Sequence, residues 1–499
     1  MRGARKGLVP CVLLAVVAIT ACSGLLAPSG VPAGSFGTSR LIHEPQKPRL
    51  GGGKIDHVVV LIQENRSFDN FFDCFPGTDC VKTAPGPGPS PGPRNSANPC
   101  PDPLSTPAPG PTATPIQITF GANLAGYDIG HSYCPAFVTQ YDRGKMDGFY
   151  WVAFGGGAHA HLYPYRVVAR SQIQPYWDMA TQYVLADRMF PTQASGSFTA
   201  HQDLIRGSTK IAPDASVVDY PWNSAGIENW GCDDRPDSVT SLLTFKKAYL
   251  YNQGPFPCFG PTKYQTLRDL LDEKNLTWKY YVPAFGQDDG QLWNAFDAVY
   301  AVRHDTNEWA HGKTNPSGVS MPETNFFTDL GAGKLARVTW VIPDGENSDH
   351  GYGSQIGADD GPDWVASVVN AIGRSRYWKS TAIFILWDDW GGFYDSVPPP
   401  QLDYEGLGYR VPMIVVSPYA KKGYVSHVQY EFGSVLKFIE RTFALGSLDT
   451  TDRRANDITD PFNFSQQPRP FATIEPINKR HTRDFFLREP PSNQPVDTQ

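Results

Sequence analysis

At 499 residues the chain is long enough for one large catalytic domain or two medium ones. Charged residues make up 19% and hydrophobic ones 40%, which excludes a mostly disordered chain, and 12 Trp, 23 Tyr and 28 Phe can fill a large core. The formal net charge of −7 excludes the basic footprint that nucleic-acid binding requires.

In chain order, Arg2, Arg5 and Lys6 precede a short apolar run over 8–18, too short to span a bilayer. Ile19-Thr20-Ala21-Cys22 resembles a bacterial lipobox. Residues 1–22 are therefore expected to be a lipoprotein signal peptide, with Cys22 as the membrane anchor of a protein exported to the bacterial cell envelope or secreted. Residues 23–53, rich in Gly, Pro and Ser, are expected to form a flexible tether. The run over 55–62 predicts a buried strand, and residues 67–72 open a helix. The Pro/Gly-rich stretch over 84–115 cannot bury a core and is expected to be a solvated insert. Helices are predicted around 177–180, 267–271, 365–372 and 435–442, and strands over 277–282, 337–342, 381–387 and 411–417. This alternation predicts an α/β fold: a mainly parallel central sheet with helices on both faces and long loop insertions. The catalytic domain is expected over 54–464, with an irregular tail over 465–499. Six cysteines follow Cys22, and no Cys-x-x-Cys spacing favours zinc. Sequence cannot choose their pairing; the expectation is Cys74–Cys80, Cys232–Cys258 and Cys100–Cys134 across the insert.

Glu64 and Asn65 stand at the carboxyl end of the first predicted strand, where open α/β sheets build their sites. Asp388 and Asp389 follow the buried strand over 381–387, and two acids there are costly unless they are paired or hold a cation. Together the four are expected to form an all-oxygen cage for a divalent metal, with Ca, Mg, Mn, Fe and Zn all open. Gly196-Ser197-Phe198-Thr199-Ala200-His201 reads as a loop offering hydroxyls and an imidazole. Ser195, Ser197 and Thr199 all qualify as nucleophiles, and spacing does not decide among them. His131 and His350, in polar segments, suit phosphoryl binding or protonation of a leaving group. His159 and His161, after a run of glycines, read as part of a flexible loop lining a cleft.

Several segments resemble the bacterial phosphoesterases that include phosphatidylcholine-type phospholipases C and an acid phosphatase, within the alkaline phosphatase-like superfamily. They are Glu64-Asn65-Arg66-Ser67-Phe68-Asp69-Asn70-Phe71-Phe72, Gly144-Lys145-Met146-Asp147-Gly148-Phe149, Ser348-Asp349-His350, Trp387-Asp388-Asp389-Trp390-Gly391-Gly392-Phe393-Tyr394-Asp395 and Arg410-Val411-Pro412-Met413-Ile414-Val415-Val416-Ser417-Pro418. The resemblance implies a three-layer sandwich and hydrolysis through a phosphoserine. It places the nucleophile on Ser197, which would also touch the metal, and metal ligands on Glu64, Asn65, Asp388 and Asp389. Its phosphate-contacting histidines fall on His131 and His350, with only His304 as a weak counterpart of a further one; Asn65 and His201 are expected as additional substrate contacts. This chain departs at Ala200, Asp389, Trp390 and Ser396, where many members carry Asn, Glu, His and His. The expected substrate is a phospholipid phosphodiester, with a small phosphomonoester as alternative. An inactive surface lipoprotein binding phosphorylated ligands is disfavoured by the retained nucleophile. Nothing in the sequence points to a protein partner.

Overall fold

The computed structural model describes residues 49–88, 100, 114–154, 157–224, 230–260, 264–284, 293–310, 318–351 and 360–490. The expected signal peptide, the Cys22 anchor, nearly all of the tether and most of the 84–115 insert lie outside them.

Ten strands form the central sheet. They are β1 (His57–Gln63), β2 (Val184–Phe190), β3 (Trp278–Tyr281), β4 (Trp309–Ala310), β5 (Gly318–Ser320), β6 (Val338–Val341), β7 (Thr381–Trp387), β8 (Val411–Val416), β9 (Tyr424–Ser426) and β10 (Tyr430–Glu431). The spatial order is β4-β5-β3-β6-β1-β7-β8-β2-β9, with β10 also on β2. β1 lies at the centre, parallel to β6 and to β7, and every residue of β1 and β7 is buried. The main helices are α1 (Phe68–Phe72), α2 (Gln174–Gln182), α3 (Ser197–Arg206), α4 (Leu267–Glu273), α5 (Gly361–Gly373) and α6 (Phe432–Phe443). Side chains three apart on a strand point to opposite faces. In β7, Phe384 packs on Phe438 of α6 and Trp387 packs on Tyr176 of α2, so helices cover both faces.

The sheet is mixed. β8 is antiparallel to both β7 and β2, while the other described pairings are parallel. The carboxyl ends of β1, β2, β6 and β7 therefore open on one end of the sheet. A separate antiparallel sheet of four strands, over 210–250, had no counterpart in the sequence reading.

The outer segments are better anchored than their composition suggests. At the end of the expected tether, Leu50 is buried and Arg49 Nε donates to Thr442 O (2.9 Å). Thr83–Ala84 pairs with Ile116–Gln117 at the stem of the insert. The segment after 464 is mostly irregular but docked: Asn370 exchanges two hydrogen bonds with the backbone of Ile474, and buried Phe486 packs edge-on against Trp364. Among the described residues, disulfides join Cys74 to Cys80, Cys100 to Cys134 and Cys232 to Cys258, the expected pairing.

Candidate active site

After His57, β1 runs apolar over Val58–Ile62, ends in Gln63 and delivers Glu64 and Asn65, both buried, to the open end of the sheet. β7 does the same for Asp388 and Asp389, both fully buried, and Asp388 N donates to Gln63 O (3.0 Å) across the parallel pair. Asn65 takes a left-handed conformation (φ 60°), one that Asn tolerates better than most residues. That turn lets its backbone N–H reach Asp388 Oδ1 (3.0 Å) while its side chain swings to the other side. Gly391 (φ 58°) closes the opposite wall; a Cβ there would sit 2.1 Å from Asn65 O.

Ser197 is the first residue of α3, preceded by Gly196, which has no side chain to cap the helix. The exposed N–H groups of a helix start favour a phosphoryl oxygen. The sequence reading made this segment a loop; as a helix it stacks positions i and i+4, so His201 lies one turn behind Ser197 on the same face. Ser197 Oγ is 3.3 Å from both Asn65 Oδ1 and Asp389 Oδ2. The other two hydroxyls bond elsewhere: Ser195 Oγ accepts from Asp219 N, and Thr199 Oγ1 donates to Gly196 O.

His201, expected to contact substrate, faces the acids: its Nε2 lies 2.9 Å from Glu64 Oε1 and 3.9 Å from Asp388 Oδ2. Glu64, Asp388 and His201 bring three ligand atoms within 4.8 Å of one another, all buried. Burial and the neighbouring charge of Glu64 push the Asp388 carboxyl up to about 8. Two carboxyls this close in a dry site call for positive charge, and these donors fit a divalent cation. This group offers two carboxylates and an imidazole, and the oxygens of Asn65, Asp389 and Ser197, also expected as ligands, lie together beside it.

His131 occupies the other side of Ser197. Its Nδ1 donates to Ile129 O (2.7 Å), leaving Nε2 to accept from Asn65 Nδ2 (3.1 Å). That choice turns Asn65 Oδ1 toward the Ser197 hydroxyl. His350 joins this side, its ring 6.1 Å from that of His131 and 6.0 Å from Trp293. Asp128, His131 and His350 form a second compact group, so the serine sits between an acidic cluster and a histidine cluster. His304 is exposed, stacked on Tyr300, while His161 is exposed beside Tyr150 and His159 beside Trp151; none joins the site. Trp390 donates to Gln140 Oε1 (2.7 Å), and Gln140 donates back to Gly392 O (2.9 Å), which pins the turn after the acids.

Arg66 to Asp69 do not face the serine. Arg66 Nε donates to Asp349 O and Nη2 to Leu124 O, while Asp69 and Asp395 share Arg410. Gln63 is a residue the sequence reading passed over, because both its partners lie more than 280 positions away.

A sequence profile of the Phosphoesterase family matches residues 55–446. The chain belongs to that family. Among its phosphoesterase relatives, Phospholipase C B of Mycobacterium tuberculosis (strain ATCC 25618 / H37Rv) is 25% identical over 457 residues, covering 83% of this chain and 79% of that protein. Phospholipase C A of the same strain is 25% identical over 462 residues, covering 83% and 78%. A solved Vibrio parahaemolyticus protein of the alkaline phosphatase superfamily overlaps with a TM-score of 0.32 at 11% identity, covering 58% of this chain and 66% of that one. Family and relatives together make this phosphoesterase a hydrolase of phosphate esters.

Proposed function

We propose that the protein is a divalent-cation-dependent phospholipase C that cleaves phospholipid phosphodiesters through a phosphoserine. The observation that carries this reading is Ser197 Oγ, 3.3 Å from Asp389 Oδ2 and flanked by Asn65 and His131. Glu64, Asp388 and His201 would hold the cation, whose charge lowers the cost of ionising the serine hydroxyl. Asp389 Oδ2 is placed to take the Ser197 proton as Oγ bonds to phosphorus and the alcohol oxygen leaves. The Asn65 amide and the start of α3 supply positive dipole to the phosphoryl oxygens, and His350 supplies the leaving oxygen's proton, since the one N–H of His131 is held by Ile129 O. Water then hydrolyses the phosphoserine and regenerates Ser197. The phospholipase C relatives favour a phosphodiester, with a phospholipid as the membrane-borne partner.

The donor set favours Zn, Fe or Mn over Ca or Mg, because an imidazole replaces one oxygen ligand. The test is chelation and add-back of each ion, on phosphatidylcholine, sphingomyelin and p-nitrophenyl phosphate. Phosphatidylcholine turnover lost with chelator and restored by Zn, Fe or Mn is the expected result. Turnover of the monoester alone would replace the lipase reading with an acid phosphatase, and full activity in chelator would refute the cation. We further propose export with acylation at Cys22: the full-length chain made in a bacterium should take up radiolabelled palmitate, and Cys22→Ala should not.

A further inference from the structure

We propose that Glu489, on the C-terminal segment, is a positioning residue for His350, acting through Asn347 and Gln63. The inference rests on the phosphoesterase reading above. Gln63 ends β1, so its backbone leads into Glu64, while its buried side-chain amide holds the loop over 344–350. Gln63 Nε2 donates to Asn347 O (3.2 Å), and its Oε1 accepts from Asp349 N (3.0 Å), one residue before His350. Ser348 Oγ accepts from His350 N itself (3.2 Å). The far side of the loop is fixed by Asn347, whose N and Nδ2 both donate to Asp344 Oδ1 (3.0 and 2.8 Å). The same Nδ2 donates to Glu489 Oε2 (3.0 Å). One amide from the sheet and one carboxylate from the tail thus grip Asn347 from two directions.

The tail holds Glu489 in place by independent contacts. Asp363 of α5 accepts from Ile477 N and Asn478 N, His481 Nδ1 lies 3.1 Å from Asp363 Oδ2, and Phe486 is buried against Trp364. Docking alone gives no reason for a carboxylate at 489. The group is partly desolvated and repelled by Glu346, and both effects raise its pKa. An apolar residue would cover the same surface at lower cost. What the carboxylate adds is an acceptor for the Asn347 amide.

The test compares Glu489→Ala and Glu489→Gln in the full chain. It measures kcat and KM on phosphatidylcholine and p-nitrophenyl phosphate, thermal stability, and amide exchange at Asp349. Glu489→Ala should lower kcat about tenfold with KM changed less than about twofold, since small displacements of a reacting group cost rate rather than binding. Asp349 N–H should exchange faster in the alanine variant, whether or not the protein turns over either ester. Glu489→Gln keeps an acceptor for the same hydrogen and should recover most of both readouts. Unchanged Asp349 exchange in Glu489→Ala, or a Gln variant as impaired as the Ala variant, would overturn the proposal. Faster Asp349 exchange in Glu489→Ala, with the unmodified chain turning over neither ester, would uphold the coupling and overturn the proposed function instead.

Discussion

Ser197, Asn65 and Asp389 form the smallest unit with chemical meaning. The hydroxyl has two oxygen acceptors at 3.3 Å, one neutral and one acidic, so its proton has a destination before any substrate arrives. Ser197→Ala should lower turnover at least about 1,000-fold while circular dichroism and cation affinity stay unchanged. Retained cation affinity is the expectation where the buried Glu64, His201 and Asp388 supply the main donors. His201→Ala should do the reverse. Isothermal titration should show cation affinity reduced about 10- to 100-fold, with activity partly restored at high cation concentration. If His201→Ala instead raised KM for the ester and left cation binding intact, the substrate role first expected for it would stand.

Elements decide which of these residues could be read from the chain. β1 and β7 were legible because strands buried on both faces produce unbroken apolar runs, and the acids that end them stand out. β8 was legible as a strand but not in direction, because a fully buried run looks the same either way up. The pairing of Ser197 with His201 was hidden by local composition. A Gly-Ser-rich approach reads as a loop, whereas the structure begins α3 at Ser197 and makes the two residues neighbours on one face. The resemblance to phosphoesterases supplied Ser197, but the partner of His201 needed three dimensions. The turn after β7 gives a prediction at this scale. Gly391 has φ 58° and no room for a Cβ beside Asn65 O, so Gly391→Ala should cost about 2–4 kcal/mol in urea unfolding. It should also slow turnover, since relief of the clash would push Asn65 away from Ser197.

At the scale of the whole molecule, the fold keeps protons on acids that would ordinarily lose them. Asp388 and Glu440 are pushed up to about 8 and Asp349 to about 7, chiefly by burial. In the unfolded chain these groups ionise near their ordinary values of 3.8 for Asp and 4.5 for Glu. Between those limits the folded state binds more protons, so stability is greatest at the acid end and falls as pH rises toward 8. Chelated protein should therefore melt at a lower temperature at pH 8 than at pH 6 in a calorimetric scan. A divalent cation competes with the proton for Asp388, so the stabilisation it provides should grow with pH. A chelated protein that melts higher at pH 8 would contradict the protonated acids. The site is also spread along the chain to an unusual degree: Asn65 meets Asp388 across 323 positions and Ser197 across 132, and the loop of His350 meets Glu489 across 142. The stretch 64–201 holds Glu64, Asn65, His131, Ser197 and His201, but Asp388 and Asp389 come from much further on, with Asp389 192 positions beyond Ser197. An unfolded chain holds every one of these residues and none of their contacts, so the site comes into being only when β7 pairs with β1.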